Sequence, residues 1–588
     1  MTPTEQYVPI PFRVRIGITG LRKLPDAEGV RKAVQLILKE EIEKLFDTKS
    51  RRWLREAGQD VPLLFAAVTS LADGTDQTVA AEIADTPANS VMAVLPLEHE
   101  EYRDTVENKQ EFDRLLKQDR EPRRLRHLKM SQEFADRDLE NKRNTAYDAA
   151  SRYMVDHCDV LIAVMPAAES LTPFTPHQTR KPGDGTRITV EYARKRKRPI
   201  IIVDIDHPSR DTTIVERGKG LNARAVPALR EFNNLTIDPH EERQECEGVA
   251  QEIFGGPKHP KVQNAASGLP DVAREAIRRY LIPAYVRTDR IAKKNQSKFQ
   301  WAGIGVYILA ILAVVCVAVG VIWGSPNGPG SNPDPVELAR EKRTEKFGQL
   351  TFTAEFVCLA AILLIVFRSR KSDPHQKWIE SRFLAERLRS GFYLAACGLE
   401  SSPVEVPPYL GVSHQPDDWM VRAYEEIWRH VPSLPKCVSA DGEPYKAFLS
   451  LSWVNGQISY HKRKAKRCER MDERLTSAGI TVFCVALVAA LLHASGWFHG
   501  INDLLSLTAI TFPAIGASLA GIRTLGDYER LAKSSHQMAT TLEDLLTELE
   551  MAHEPGDLEN RVRQVEELML RETQEWLMLV RFVKLETP

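Results

Sequence analysis

The stretch WAGIGVYILAILAVVCVAVGVIW, residues 301–323, contains no charged residue. At about 1.5 Å per residue, a helix of this length spans roughly 33 Å, which is enough to cross the hydrocarbon core of a bilayer. A tryptophan at each end suits the two membrane interfaces. We therefore predict a transmembrane helix here, which divides the chain into a soluble first half and a membrane-embedded second half.

Three more apolar segments follow, at residues 351–367, 479–498 and 504–522. The last two are separated by a few residues only, so they predict a transmembrane hairpin. Glu355 lies near the start of the second segment, where an ionisable group is either functional or interfacial. Buried helices of a large soluble protein are the alternative, but such helices rarely sustain about eighteen uncharged residues.

Basic residues flank these segments on one side of the predicted membrane. They lie at 287–298, at 368–371, in HKRKAKR at 461–467, and at Arg523 and Arg530. By the positive-inside rule, both termini and the segment between the second and third spans face the cytosol. We expect a multi-pass protein of the inner, cytoplasmic membrane. The basic stretch at 461–467 serves either as this topology signal or as a site for anionic lipid or another polyanion.

Composition limits the remaining possibilities. A chain of 588 residues is expected to form two or more domains, and a net charge of -1 gives no overall reason to expect nucleic-acid binding. The eight cysteines are scattered without a CxxC pair, which argues against a zinc site or a disulfide framework. The first residues, MTPTEQYVPIPF, lack a signal-peptide pattern. We expect no metal and no resident cofactor, and insertion directed by the internal spans.

Apolar runs alternate with helical patterns through the first 205 residues. The candidate strands are residues 12–19, 63–68, 91–95, 160–165 and 199–203. Nearly continuous apolar strands that alternate with helices predict a parallel sheet covered on both faces, an α/β Rossmann-like domain. Ligands of such sheets bind at the carboxyl ends of the strands.

The first predicted strand runs into the turn GITGLR, residues 17–22. Gly17 and Gly20 can let the backbone approach a phosphate, Thr19 can donate from its hydroxyl, and Arg22 can neutralise charge. The spacing is not GxGxxG, so the motif is a weak signal when taken alone. A tight turn that needs glycine for its conformation is the equal alternative.

Two more turns of this type follow predicted strands. TSLADGTDQTVA, residues 69–80, combines a turn with a helix N-terminus, which favours anionic ligands. GDGT, residues 183–186, precedes another helical pattern. We assign Ser70, Asp73, Gly74 and Asp76 to a ribose or phosphate, and Gly185 and Thr186 to a second phosphate. Helix capping alone explains one aspartate but not the whole cluster. Tyr102 and Arg103, in the loop predicted after the third strand, are further candidates for a base and a phosphate.

These motifs resemble a known family. GITG, SLADGTDQTVA, AVLPLEHEEYRDT (93–105), AYDAASRYMVDHCDVLIAVM (146–165) and GDGT look like the SLOG superfamily, a Rossmannoid group that includes the LOG nucleoside-monophosphate phosphoribohydrolases. In the membrane half, WIESRFLAERLRSGFYLAACGL (378–399), WVNGQISYHKRKA (453–465) and GIRTLGDYERLA (521–532) look similar to the SLATT effectors of bacterial nucleotide-signalling conflict systems. The resemblance implies a soluble domain that senses a nucleotide-derived signal and helices that act on the membrane.

One departure from the LOG pattern bears on catalysis. LOG hydrolases carry a glutamate three residues after the threonine of their GT motif, and here that position is Thr189, with Glu191 two residues later. A shift of two residues turns a side chain by about 200° around a helix. Because a catalytic carboxylate needs a defined distance from the glycosidic bond, we do not expect hydrolysis of the LOG type.

We thus expect six segments: a SLOG-like nucleotide-binding domain (1–207), a helical extension (208–298), a first transmembrane pair (299–370), a cytosolic helical segment (371–477), a transmembrane hairpin (478–523) and cytosolic C-terminal helices (524–588). The leading hypothesis is a homo-oligomeric membrane effector, acting in antiphage defence, whose α/β domain binds a phosphorylated nucleotide or NAD-derived signal and whose helices perturb the bilayer. The alternatives are a membrane-anchored nucleotide N-glycoside hydrolase and a nucleotide-regulated ion channel.

Overall fold

The computed structural model describes residues 9–118, 123–124, 139–172, 184–208, 212–257, 259–324, 335–399, 418–436, 443–497, 499–551 and 555–580. The chain divides into two compact units, Met1–Ile237 with Ser402–Ser433, and Asp238–Ser401 with Leu434–Pro588. The first unit therefore reaches past residue 207 and takes in part of the segment between the second and third apolar stretches.

A seven-stranded sheet organises the first unit. Its strands are β1 (Phe12–Gly20), β2 (Leu63–Thr69), β3 (Ser90–Leu95), β4 (Arg123–Arg124), β5 (Val160–Met165), β6 (Ile200–Asp204) and β7 (Ile214–Glu216). The spatial order is β4-β3-β2-β1-β5-β6-β7, with every neighbouring pair parallel except β6 and β7. All five predicted strands are present. The short edge strands β4 and β7 were not predicted, because two or three residues are too few to show a period.

The chain reverses its direction across the sheet beside β1. It builds β1, β2 and β3 in one direction and later returns to place β5 on the other side of β1, where Ile16 pairs with Val160. Residues of β1 and β5 are almost entirely buried. β5 is apolar throughout, as burial on both faces of the sheet requires, whereas β1 also buries Arg13 and Arg15. In open α/β sheets, such a reversal places a crevice at the carboxyl ends of the strands.

Ten helices accompany these strands in the described part of the chain up to Ile237. They are α1 (Ala27–Leu36), α2 (Ile42–Leu45), α3 (Thr48–Ala57), α4 (Thr75–Ala84), α5 (His99–Asp104), α6 (Lys109–Leu116), α7 (Leu139–His157), α8 (Ala167–Ser170), α9 (Asp184–Lys195) and α10 (Val226–Asn233). Local caps set several of their starts: the side chain of Asp26 accepts from the Gly29 N–H, and that of Asp47 from the Ser50 N–H.

The helices of the remaining chain include long ones. They are α11 (Pro239–Phe254), α12 (Pro260–Ser267), α13 (Asp271–Ala276), α14 (Ile282–Trp323), α15 (Pro335–Ser372), α16 (Pro374–Ala396), α17 (Trp419–Arg429), α18 (Glu443–Phe448), α19 (Asn455–Ser495), α20 (Asn502–Gly526), α21 (Tyr528–Glu550) and α22 (Pro555–Val580). Of these, α17 belongs to the first unit and the others to the second.

Four helical stretches in the described part of the chain are long and apolar enough to cross a membrane. They are Asp271–Trp323, Lys342–Ser372, Glu443–Ser495 and Asn502–Glu550. Three of them contain a whole predicted span, and Glu443–Ser495 contains the third predicted span except for its last three residues. Their apolar side chains are widely exposed; Phe356 of α15 is 70% exposed and Leu491 of α19 is 69% exposed. Glu355 is half-buried on α15. An apolar surface of this extent needs a lipid environment or other apolar partners.

Glycines allow the spans to approach one another closely. A Cβ added to Gly303 of α14 would collide with Leu525 of α20, and one added to Gly521 of α20 would collide with the ring of Tyr307 on α14. Helix packing of this kind, with small residues at the crossing, is typical of membrane helices.

Candidate ligand site at the carboxyl edge of the sheet

The loops that follow β1 and β2 are bonded to each other. The backbone N–H and the hydroxyl of Thr75 both donate to the carbonyl oxygen of Leu21, at 3.1 and 3.0 Å. A Cβ on Gly20 would collide with Thr75, and one on Gly74 would collide with the carbonyl of Arg22. Gly74 also has a φ of +75°, which favours glycine. Contact between the two loops therefore explains both glycines without a ligand.

The other residues proposed from the first turn lie in different places. Gly17 is inside β1, and a Cβ there would lie 3.0 Å from the Sγ of Cys158, so this glycine makes room for a buried thiol. Thr19 is buried and lies opposite Ala163 of β5. Arg22 is exposed, and its guanidinium lies over the ring of Tyr147, 5.9 Å from the centroid.

Asp76 is a buried carboxylate at the start of α4. The hydroxyl of Thr69, the last residue of β2, donates to its Oδ2 at 2.7 Å. Burial raises the pKa of Asp76 to about 6, although the bond from Thr69, a backbone bond from Ala72 and the charge of Arg22 all act to lower it. The buried environment thus favours the neutral form of this carboxyl.

Tyr102 of α5 lies beside this carboxylate. It is fully buried, and its hydroxyl has no hydrogen-bond partner among the described residues. Burial and then the negative charge of Asp76 raise the pKa of Tyr102 well above its ordinary value. Its ring lies 6.1 Å from that of Tyr147, between centroids. Arg22, Thr69, Asp76, Tyr102 and Tyr147 together form what we term the carboxyl-edge cluster.

Asp73 has a different role. Its carboxylate accepts from the backbone N–H groups of Glu107, at 2.9 Å, and Asn108, at 2.9 Å, and so holds the loop that precedes α6. Arg103 lies on α5 rather than in a loop, and it donates two bonds to Asp113, at 2.9 and 2.8 Å. These side chains organise the walls of the site through bonds within the protein.

The backbone beside Ser70 is strained. Leu71 has a φ of +57° and is fully buried, an unusual combination for a residue with a bulky side chain. The side chain of Gln77 donates to the Leu71 carbonyl at 3.2 Å and helps to hold this conformation. Backbone strain of this kind tends to gather at functional sites. Ser70 itself is half-buried at the end of β2.

Gly185 and Thr186 lie in the first turn of α9, and Gly183 of the same motif lies outside the described residues. Because α9 connects β5 to β6, its first turn lies at the carboxyl edge of the sheet, on the β5 side of the reversal. Thr186 is buried, and the hydroxyl of Thr189 donates to the Gly185 carbonyl at 2.8 Å. The structure therefore places this turn and the carboxyl-edge cluster on opposite sides of β1.

The glutamate considered for hydrolysis is engaged elsewhere. Glu191 pairs with Arg194 at 2.6 Å, and Arg194 also pairs with Glu216 of β7 at 2.6 Å. The site offers an arginine, a buried carboxyl and tyrosine hydroxyls. No group of three or more potential metal-ligating His, Cys, Asp or Glu side chains occurs in the described parts of the chain.

Tyr147 was not identified from the sequence. It lies on α7, before β5 in the chain, and only the folded arrangement of α7 against the loop after β1 brings it to Arg22. No local pattern of residues distinguishes it from the other aromatic residues of that helix.

One family model matches the chain. It is SLATT_1, described as SMODS and SLOG-associating 2TM effector domain 1, and it matches residues 452–576. The matched region contains the whole of α19, α20 and α21 and most of α22, and so includes the third and fourth spans, in keeping with the two transmembrane helices of the description. No curated protein matches the chain, and no solved structure does.

The four apolar helices are those of a multi-pass membrane protein, and residues 452–576 are similar to the SLATT_1 effector domain. The first two spans and the whole first unit lie outside the matched residues.

Proposed function

We propose that this protein is a membrane effector controlled by a small anionic ligand, a phosphorylated nucleotide or an NAD-derived signal, bound at the carboxyl edge of its Rossmann-like sheet. Ligand binding would lead the four-span region to perturb or permeabilise the membrane in a bacterial conflict response such as antiphage defence. The observation that supports this best is the effector-domain match on the same chain as an α/β unit with a polar cluster at its strand ends.

The chemistry of the cluster supports an anionic ligand that carries hydroxyl groups. Arg22 is exposed at the end of β1 and offers charged N–H donors, which suit a phosphate. Asp76 and the Tyr102 hydroxyl lie deeper and offer an acceptor and a donor for a sugar. The first turn of α4 adds the positive end of a helix dipole.

We propose that both termini face the cytosol, on the basis of the basic residues that flank the spans. In this orientation, the α/β unit is exposed to cytosolic nucleotides.

The direct test uses the full-length protein in vesicles loaded with a fluorescent dye. Nucleotide mono-, di- and triphosphates, cyclic dinucleotides, NAD and ADP-ribose would each be added, and binding, product formation and dye release measured. We expect one of these compounds to bind without turnover and to increase dye release. Turnover of the bound compound would contradict a pure sensor, and the absence of binding across the panel would contradict the proposed ligand class.

A matched pair of variants tests the location. Replacing Arg22→Gln removes the cation of the cluster, and we expect binding to weaken about tenfold or more, the usual effect of losing a charged hydrogen bond. Lys23→Gln removes the next cation in the chain, which is exposed, and we expect unchanged affinity. Equal effects in the two variants would show that the ligand binds elsewhere.

A further inference from the structure

The segment between the second and third spans contributes a helix to the α/β unit. Ser402–Ser433 belongs to the first unit, although the residues on both sides of it belong to the second. The two ends of this excursion meet, because Gly398, with a φ of +62°, packs directly against the carbonyl of Pro435. The chain thus leaves the second unit and re-enters it at neighbouring positions, and α17 lies in the part of the chain between them.

Buried ion pairs hold α17 on the sheet. Arg13 of β1 makes two bonds to the carboxylate of Glu426, at 2.7 and 2.9 Å. Arg422 donates to the Oδ1 of Asp159 at 2.8 Å and to the carbonyl of Arg13 at 2.6 Å. The guanidinium of Arg422 also lies over the ring of Phe12, 4.9 Å from its centroid. All four charged side chains are at most 10% exposed, so these contacts are desolvated.

These contacts lie at the end of the sheet opposite to the carboxyl-edge cluster. Arg13 lies near the beginning of β1, and Asp159 immediately precedes β5. The same strand β1 ends at Gly20 and leads directly to Arg22 of the cluster. One rigid strand of nine residues therefore touches α17 at one end and the candidate ligand site at the other.

The two charged side chains of the sheet that contact α17 keep hydrogen-bond partners when α17 is removed. Asp159 would still accept from the backbone N–H and the guanidinium of Arg15, at 2.8 and 3.0 Å. Arg13 would still donate to the carbonyls of Phe65 and Ala88, at 3.1 and 2.9 Å. A buried charge left without a partner would strongly oppose separation. Here Asp159 keeps the counter-charge of Arg15, and Arg13 keeps two carbonyl acceptors while water reaches the side that Glu426 leaves.

The charged side chains of α17 also have possible partners on the helix itself. Arg422 and Glu426 are four residues apart, so they can pair with each other along a free α17. Glu426 already lies 3.5 Å from Arg429 of the same helix. Apolar contact between the helix and this unit includes Trp419, whose ring centroid lies 6.4 Å from that of Phe232 of α10.

We propose that α17 is a reversible strap: docked on the amino-terminal edge of the sheet it restrains the membrane unit, and its release allows that unit to act on the membrane. This inference rests on the proposed control of the membrane helices by the α/β unit. It adds the element that transmits the control, with the ligand site and the strap at the two ends of β1.

Hydrogen exchange of the full-length protein in vesicles, without added nucleotide, tests whether the strap opens by itself. We expect the amides of α17 to exchange at least tenfold faster than those of β5. The double variant Arg422→Gln with Glu426→Gln should increase α17 exchange at least tenfold further and leave β5 unchanged. Equal protection of α17 and β5 in the wild-type protein would show that α17 opens only with the whole unit, and would overturn the proposal.

Dye release from the same vesicles tests the coupling. We expect the double variant to release dye at least fivefold faster than the wild-type protein, and Trp419→Ala, which weakens docking without altering a charge, to act in the same direction. Arg230→Gln is the control, since it removes an exposed ion pair to Asp60 in the same unit and should change neither measurement. Faster α17 exchange without faster dye release would overturn the restraining role. These outcomes require no ligand, so they stand or fall separately from nucleotide binding.

Discussion

At the scale of single residues, the glycines of the two βα turns and the polar side chains beside them have different roles in the structure. Gly20 and Gly74 are required because two loops touch, as the contacts with Thr75 and Arg22 show. The sequence alone could not decide between this and phosphate binding, since both need a residue without a Cβ. The Tyr102 hydroxyl is more informative, because burying it without a partner among the described residues costs free energy. Burial likewise disfavours the charged form of the neighbouring Asp76.

The titration of Asp76 gives a prediction for stability. Its pKa rises from 3.8 to about 6 on folding, so folding favours the protonated carboxyl. The resulting stabilisation is complete below pH 3.8 and is lost as pH rises through about 6, an effect of roughly 2 to 3 kcal/mol. Asp76→Asn cannot ionise, so the variant should not lose this stability. We therefore expect the free energy of unfolding of the variant to rise relative to that of the wild type as pH increases from 4 to 7.

Hydrogen exchange of β2 amides in the two proteins, compared at each pH between 4 and 7, measures that difference. Asp104→Asn is the control, because Asp104 is exposed and its pKa is lowered by Lys109. A constant difference between Asp76→Asn and wild type would contradict a raised pKa for Asp76.

At the scale of elements, the sequence predicts the strands and helices whose burial leaves a clear apolar run. Strands β1, β2, β3, β5 and β6 are found in this way, because parallel strands covered on both faces are rich in apolar residues. The four spans were found because each is an apolar run long enough to cross a bilayer. The docking of α17 was not, because Arg422 and Glu426 have the composition of an ordinary exposed helix face. Their partners are about 260 to 410 residues away in the chain.

The crossing of α14 and α20 gives a prediction at this scale. Gly303→Ala and Gly521→Ala each place a methyl group where Leu525 or Tyr307 now lies, and we expect a loss of about 1 to 3 kcal/mol through overpacking. Thermal unfolding of the detergent-solubilised protein would measure it. The matched control is Gly305→Ala on α14, where nothing lies within 4 Å. Equal unfolding temperatures in all three variants would show that the helices do not pack here as described.

At the scale of the whole molecule, four spans in the described residues would place the chain before the first span and the chain after the fourth on one side of the membrane. We expect this side to be the cytosol. In a variant whose native cysteines are replaced, Gly500→Cys, between the third and fourth spans, should react with a membrane-impermeant maleimide in intact cells. Lys39→Cys should react only after lysis. Lys39 is exposed and lies between α1 and α2 of the first unit. The reverse labelling pattern would show the opposite orientation.

Because α17 completes the α/β unit, that unit cannot finish assembling in the order in which it is synthesised. Between Ile237 and Arg429 the ribosome adds 192 residues, which takes roughly 10 to 40 s at 5 to 20 residues per second. The first two spans emerge within this interval. We therefore expect the amino-terminal edge of the sheet to stay uncovered while the first two spans are synthesised. If the first two spans insert as they are made, Arg422 and Glu426 dock from a chain that is already anchored, and membrane insertion precedes the final folding step of the α/β unit.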